Sequence, residues 1–253
     1  MKTVAATATV LAVTTAVVTA FSAPAAPPTT TPVILPGEVD TTAAFATSTF
    51  PISPPDLIQR AKQILGPEIG IGTKDSGACL SQDFEFVAAV VGPIGRTEYL
   101  DALGGFKLEE SFDIEQNTFG FTVDPLQPNR VWWYGRQVST QIAPFMGVEP
   151  PASAAAHDDS DANTNTAREL KLKLTLPPQS FHMDFTEEGL VKEFGFYTVD
   201  RRQGNTGGLG GAFGYFYGVG KPLPIRECQP YKPSFRFRLL GLIGSIGKKL
   251  SKK

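Results

Sequence analysis

From Phe119 onward the chain alternates apolar and polar residues with a period of two, and few folds accommodate that pattern. Phe119, Phe121 and Val123 alternate with smaller or polar residues, and Val131 to Thr140 follows after Pro128-Asn129. Leu170, Leu172, Leu174 and Leu176 alternate with Lys171, Lys173 and Thr175, and Phe181, Met183 and Phe185 with His182 and Asp184. Successive side chains of a strand point to opposite faces, so each segment is predicted as a strand with two distinct faces. Glu187-Glu188-Gly189 is a hairpin turn leading into a last strand, Leu190 to Asp200, antiparallel to the strand before it.

The first half reads differently. Pro54-Pro55-Asp56 stands before Leu57, Ile58, Ala61, Ile64 and Leu65, an apolar set at helical spacing that Gly66-Pro67 ends. After a Gly-rich turn from Gly70 to Gly77, the continuous Phe/Val run from Asp83 to Val91 predicts a strand covered on both faces, broken by Gly92-Pro93. Thr97 to Leu103 gives a second short helix stopped by Gly104-Gly105. Two helices beside a run of antiparallel strands is an α+β layout: a curved sheet wrapped around short helices, a cone-shaped, cystatin-like roll with a hollow inside.

The leading residues carry an address rather than structure. Lys2, an uncharged run from Thr3 to Val18, and Val18-Thr19-Ala20 before Phe21 have the form of a signal peptide spanning residues 1–20, cleaved after Ala20. Residues 21–53 are Ala, Thr, Pro and Ser with few charges, too apolar-poor to offset ordering entropy, and are expected to be a disordered transit segment. Phe21-Ser22-Ala23-Pro24 resembles the signal-peptide and transit-peptide junction of plastid proteins in algae with secondary plastids, where an aromatic residue follows the cut. The resemblance implies a plastid (chloroplast) destination. With 42% hydrophobic and 19% charged residues and a net charge of -2, nothing global draws the chain to nucleic acid. Cys79 and Cys228 are too few and too far apart for a CxxC pair or a thiolate metal cluster, and both are expected to be reduced.

The order helix, strand, short helix, then four or five strands, with the aromatic and Arg-bearing stretch Asn129-Arg130-Val131-Trp132-Trp133-Tyr134-Gly135-Arg136 and a final strand ending in Asp200-Arg201, resembles the SnoaL-like branch of the nuclear-transport-factor-2-like superfamily. The likeness covers residues 54–202. It implies one cone-shaped domain of a superfamily that contains small-molecule isomerases, cyclases and dehydratases as well as domains that only bind. It also makes a homodimer through the open sheet face an expectation.

Within such a cone, Trp132, Tyr134 and Arg136 share one face of their strand and Trp133, Gly135 and Gln137 the other. Arg136 and Asp200 are the expected catalytic pair, the guanidinium holding an anionic oxygen and the carboxylate moving a proton. The competing reading is a salt bridge at the sheet end, or two solvated charges. His182, with Asp184 in line, is a third acid/base candidate, against a histidine on a polar surface. Tyr99, Trp132, Tyr134, Phe194 and Phe196 are the expected ligand-binding residues for a small, largely apolar molecule. Asp83 is a weaker candidate. No GxSxG or HExxH motif is present, so the chemistry considered is acid/base work without a metal or cofactor.

Residues 203–234 form a Gly-rich extension. Gly208, Gly210 and Gly214 fail the phosphate-loop and dinucleotide patterns, leaving a flexible cover over the cavity mouth or, from the four-residue spacing of Gly210, Gly214 and Gly218, a smooth strip for close approach. Gly147 to Thr166 is a low-complexity stretch expected to be a mobile loop. The tail, residues 235–253, places Leu239, Leu242, Ile243, Ile246 and Leu250 at helical spacing beside four lysines, a basic amphipathic pattern suited to an anionic membrane surface.

Overall fold

The computed structural model describes residues 35–151 and 172–239 of the chain. The expected signal peptide, the start of the transit segment, most of the low-complexity loop with His157, and the tail beyond Leu239 lie outside the described residues. The chain divides into two units, Met1–Glu38 and Val39–Lys253. In the first, the Leu35 amide donates to the Glu38 carboxylate; the second carries every element named below.

In chain order these are α1 (Thr41–Ala46), α2 (Pro54–Leu65), β1 (Leu80–Phe86), β2 (Ile94–Gly95), α3 (Arg96–Phe106), α4 (Leu108–Ser111), β3 (Phe112–Glu115), β4 (Thr118–Val123), β5 (Arg130–Gly135), β6 (Val138–Gln141), β7 (Lys173–Thr175), β8 (Gln179–Phe185), β9 (Val191–Thr198) and α5 (Gly211–Gly218), followed by a 3-10 turn, Arg226–Cys228. Helix α2 starts where the sequence dictates. Ser53 caps the Asp56 amide, Pro54 and Pro55 occupy the first turn where no amide partner is needed, and Asp56 favours the positive helix end.

Strands pair in the order β2-β1-β9-β8-β5-β4 in one sheet and β3-β6-β7 in another. The two are one bent layer. Each strand of the smaller sheet runs directly into a strand of the larger: β3 into β4 through Gln116-Asn117, β5 into β6 through Arg136-Gln137, β7 into β8 through Leu176-Pro177-Pro178. Glu115 faces Val138 and Thr118 faces Gly135, so this hairpin crosses the bend without changing register. Arg136 N donates to Asn117 O and Leu176 N to Gln137 O, carrying the ladder over the corner. Asn117 turns there with φ 47°, a left-handed conformation asparagine tolerates better than most residues, and Pro177-Pro178 offer no amides to a straight ladder. The single strand expected over Val131 to Thr140 is thus two strands meeting at a corner. Besides the antiparallel pairs, β1 lies parallel to β9, with Phe86 beside Phe194.

The larger sheet buries its inner face against α2 and α3, in a core built from Leu57, Ala61, Ile64, Phe84, Tyr99, Val131, Trp133, Met183, Phe185, Val191 and Phe194. Trp133 stacks between Phe121 and Phe181, with centroids 5.6 and 5.5 Å away and planes within 8°, and Phe194 extends the row. Beyond the corner the same side of the layer is covered by α5, in a second core of Phe112, Phe145, Leu174, Leu176, Tyr215, Phe216 and Cys228. The folded region therefore extends past 54–202 at both ends: Phe45, Phe50 and Ile52 pack on the first core, and α5 completes the second. Added methyl groups on Gly214 and Gly218 would stand 3.3 and 2.6 Å from Leu176 and Leu174 side chains, so the four-residue glycine spacing seats α5 on the sheet. Both cysteines are free and buried.

Among the described residues no helix is long and apolar enough to cross a membrane.

Candidate functional site

A cleft of about 1370 Å³ opens on the inner side of the bent layer, between the larger sheet, α3–α4 and the chain on either side of α5. Its floor is aromatic. Phe86, Phe194 and Phe196 project from adjacent parallel strands β1 and β9, their ring centroids 5.8 and 6.0 Å apart, and Tyr99 from α3 stacks on Phe86 at 5.5 Å. Ala88 to Val91, Ile94, Ala102, Leu103 and Phe106 continue the apolar wall. Gly208 to Phe213 close the opposite side, and Gly211 lies so near that a Cβ on it would stand 2.5 Å from the Phe196 ring.

Charge is confined to the rim. Lys74, Lys107, Glu109, Glu110, Arg201, Arg226, Glu227 and Lys232 border the cleft and all are exposed. Lys74 pairs with Glu109 at 2.9 Å and Lys107 with Glu110 at 3.1 Å, and Arg201 sits over the Tyr231 ring at 5.6 Å. Buried in the wall, Tyr99 donates weakly to Ile71 O at 3.4 Å; desolvation, with Cys79 nearby, holds its phenol protonated far above the usual range. Burial also pushes the Cys79 thiol up to about 12, with Asp75 adding to the effect. Neither is a poised nucleophile or acid near neutral pH.

The expected site residues fall into three places. Tyr99, Phe194 and Phe196 line the cleft together. Trp132, Tyr134 and His182 lie on the opposite, outer face, since Trp132 faces His182 across β5 and β8 while the neighbouring Trp133 points inward with Phe181. Arg136 and Asp200 stand at the corner without meeting: Arg136 reaches Gln203 at 3.5 Å, whereas Asp200 binds Arg202 at 2.9 Å and Gln203 at 3.1 Å in a local turn. Those bonds, Arg202 foremost, hold the Asp200 carboxyl well below the usual carboxylate range. A general acid requires the reverse shift, so the environment of Asp200 opposes the role expected of it. Asp83 is exposed, held by Ser81 at 2.8 Å and near Lys192.

On the outer face, Arg130 binds both oxygens of Asp184 and reaches Glu193 at 2.9 Å. His182, fully buried between Trp132 and Tyr197, shares a 2.8 Å hydrogen bond with Glu193. Burial lowers its pKa more than Glu193 raises it. Ligand atoms of His182, Asp184 and Glu193 lie within 4.8 Å of one another, a possible cation site by distance alone. The Arg130 guanidinium already bonds both carboxylates, so their charge is met by the protein's own cation, and the donor set does not fit a metal.

Sequence reasoning missed Phe86, Phe213, Thr198, Gln116 and Gln137 in the lining. Phe84-Glu85-Phe86 carried a usable signal, two aromatic residues on one strand face, obscured by the continuous apolar run that follows.

No protein-family model matches the chain, and no curated protein matches it in sequence. Solved structures it is similar to include a candidate hydroxylase, AclR, from Streptomyces galilaeus (13% identity, 78% of this chain and 95% of that one, TM-score 0.37). A candidate SnoaL-like polyketide cyclase from Jannaschia sp. CCS1 follows at 16% identity, 60% and 89% coverage and TM-score 0.37. An LEH-like epoxide hydrolase from M. tuberculosis shows 11% identity, 56% and 80% coverage and TM-score 0.35. Likeness at these TM-scores says nothing of this chain's activity; the α+β class stands on the strand order and registers above.

Proposed function

We propose that this chain is a SnoaL-like domain that holds a small, largely apolar molecule in the cleft beneath the bend of its sheet. The observation that carries the reading is the separation of chemistry across the cleft: an aromatic floor from Phe86, Tyr99, Phe194 and Phe196, and charges only at an exposed rim. Apolar contact contributes about 25 cal/mol per Å² removed from water, and an aromatic floor supplies large area with little side-chain entropy to lose. A ligand with a buried charge would find no partner on that floor, whereas a hydrocarbon or ring system would. Binding is favoured over proton transfer, because Asp200, Arg136 and His182 all stand away from the floor.

Mass spectrometry of molecules extracted from the natively purified protein tests this. One class of apolar compound at near-equimolar amount is expected; a protein that arrives empty and shows no saturable uptake of neutral apolar dyes contradicts it.

We place the site of action in the plastid, on the strength of the leading sequence alone. Residues 1–53 fused to a fluorescent protein should reach the plastid of an alga with secondary plastids, and secretion or cytosolic retention would refute that. Phe235 and Phe237 are 78% and 64% exposed at the start of the basic tail, which supports contact with an anionic membrane. Flotation with anionic liposomes should be lost on truncation after Ser234. Exposed Phe119, Tyr134 and Tyr197 on the outer sheet face support a homodimer, detectable by sedimentation.

A further inference from the structure

Gln179 is 1% exposed at the corner of the bent layer, and its amide nitrogen has no hydrogen-bond partner among the described residues. Leaving a buried donor unpaired is costly, and such groups are rare enough that each calls for a physical account. The register fixes where this one points. Gln179 lies opposite Gly135 on β5 and Thr198 on β9, two residues from Phe181, and so belongs to the inner face that carries Trp133, Phe181 and Phe196. Thr198 beside it lines the cleft, as do Gln116 and Gln137 just across the corner. The chain that covers Gln179 is the glycine stretch of the cleft wall: a Cβ on Gly210 would stand 2.5 Å from the Gln179 amide nitrogen, and Gly210 itself lines the cleft. Gly210 thus touches both the unpaired donor and the cleft, while Gln179 itself does not line the cleft.

The cleft lining is mixed in polarity. Ala88 to Val91, Ile94, Ala102 and Leu103 give it apolar walls. Towards the corner Gln116, Gln137 and Thr198 line it, with Arg201 at the rim, and Gln179 lies buried behind Gly210. Carboxylate competition there is removed, because the Asp200 oxygens are taken by Arg202 and Gln203.

We infer that the ligand is an apolar molecule ending in an acceptor oxygen, and that this oxygen is received by the Gln179 amide beside Gly210, with Thr198 as its neighbour. This deepens the binding reading above and rests on it. For the oxygen to reach this amide the backbone at Gly210 must shift aside, and residue 210 has no side chain to move with it. Accepting that bond satisfies the donor the free protein leaves unpaired, so the oxygen contributes more here than on a surface already hydrogen-bonded to water.

The test is displacement of N-phenyl-1-naphthylamine, a neutral fluorescent probe, by two uncharged competitors of equal chain length, undecane and 2-undecanone. The ketone is expected to displace the probe at about tenfold lower concentration than the alkane, beyond the difference set by their water solubilities. Gln179→Leu should abolish that preference, read as the ratio of ketone to alkane potency within each protein. Equal potency of ketone and alkane on the unaltered protein overturns the inference and leaves the apolar cleft standing; that comparison needs no variant to fold. Failure of the probe and of both competitors to bind at all overturns the binding reading itself, and this inference with it. A ketone preference that persists in Gln179→Leu and is lost in Thr198→Val transfers the role from Gln179 and refutes its assignment.

Discussion

The two faces of the bent sheet, built by the same strands, solve opposite problems. On the inner face, Val131, Trp133, Phe181, Met183 and Phe194 stack into a continuous apolar surface whose exposed end becomes the cleft floor. One residue away along each strand, Arg130, Trp132, His182, Asp184 and Glu193 form a charged, closely bonded network under the outer surface. The inner face keeps its polar groups to the rim and corner, leaving room for a guest. The outer face pairs its buried charges with each other. Buried charges thus gather on the outer face, and the floor of the cleft is left to aromatic side chains.

Breaking each face should therefore give different symptoms. The largest effect is expected from Trp133→Ala, which removes the centre of the inner stack and costs about 4 kcal/mol of unfolding free energy in a urea titration. Asp184→Ala leaves the largely buried Arg130 guanidinium with Glu193 alone and should cost about 2 kcal/mol, with ligand affinity retained in whatever fraction stays folded. Phe196→Ala, at the edge of the floor, should weaken binding of an apolar probe about tenfold with a much smaller loss of stability.

The outer face also predicts a pH response. Burial keeps His182 neutral, with Arg130 adding to the effect and Glu193 and Asp184 opposing it, so its folded pKa lies below its ordinary value of 6.5. Unfolded chains then bind a proton that the native state refuses: stability is full above about pH 6.5 and falls as pH drops through that value towards the folded pKa. His182→Gln should flatten that part of the stability profile in urea titrations at stepped pH. The smallest effect is expected at the corner: Asp200→Asn and Arg136→Gln should leave probe affinity within about twofold, each charge being tied to exposed neighbours rather than to the cleft.

Legibility in the sequence followed the range of the interactions. Helix α2 with its Ser53-Pro54-Pro55 start, the Glu187-Glu188-Gly189 hairpin and the facing of Phe194 with Phe196 are local patterns, and the structure has them. Period two separates the faces of a strand without saying which is inside. The choice between Trp132 and Trp133 was settled by the helices that cover one of them, a non-local fact. Nor does alternation disclose a corner: Arg136 and Asp200 look aligned with the pocket only if β5–β6 is one straight strand, and the bend at Asn117, Arg136 and Pro177-Pro178 turns them aside. Glycine enrichment hid α5, whose helix depends on Gly214 and Gly218 meeting Leu176 and Leu174 rather than on propensity.

The most direct test of this asymmetry is an equilibrium titration of N-phenyl-1-naphthylamine into the unaltered protein, Phe196→Ala and His182→Gln in parallel. Saturable binding by the unaltered protein, weakened by the inner-face change and untouched by the outer-face one, is the result expected. Binding lost with His182→Gln and preserved with Phe196→Ala would put the ligand on the other side of the sheet and contradict the account.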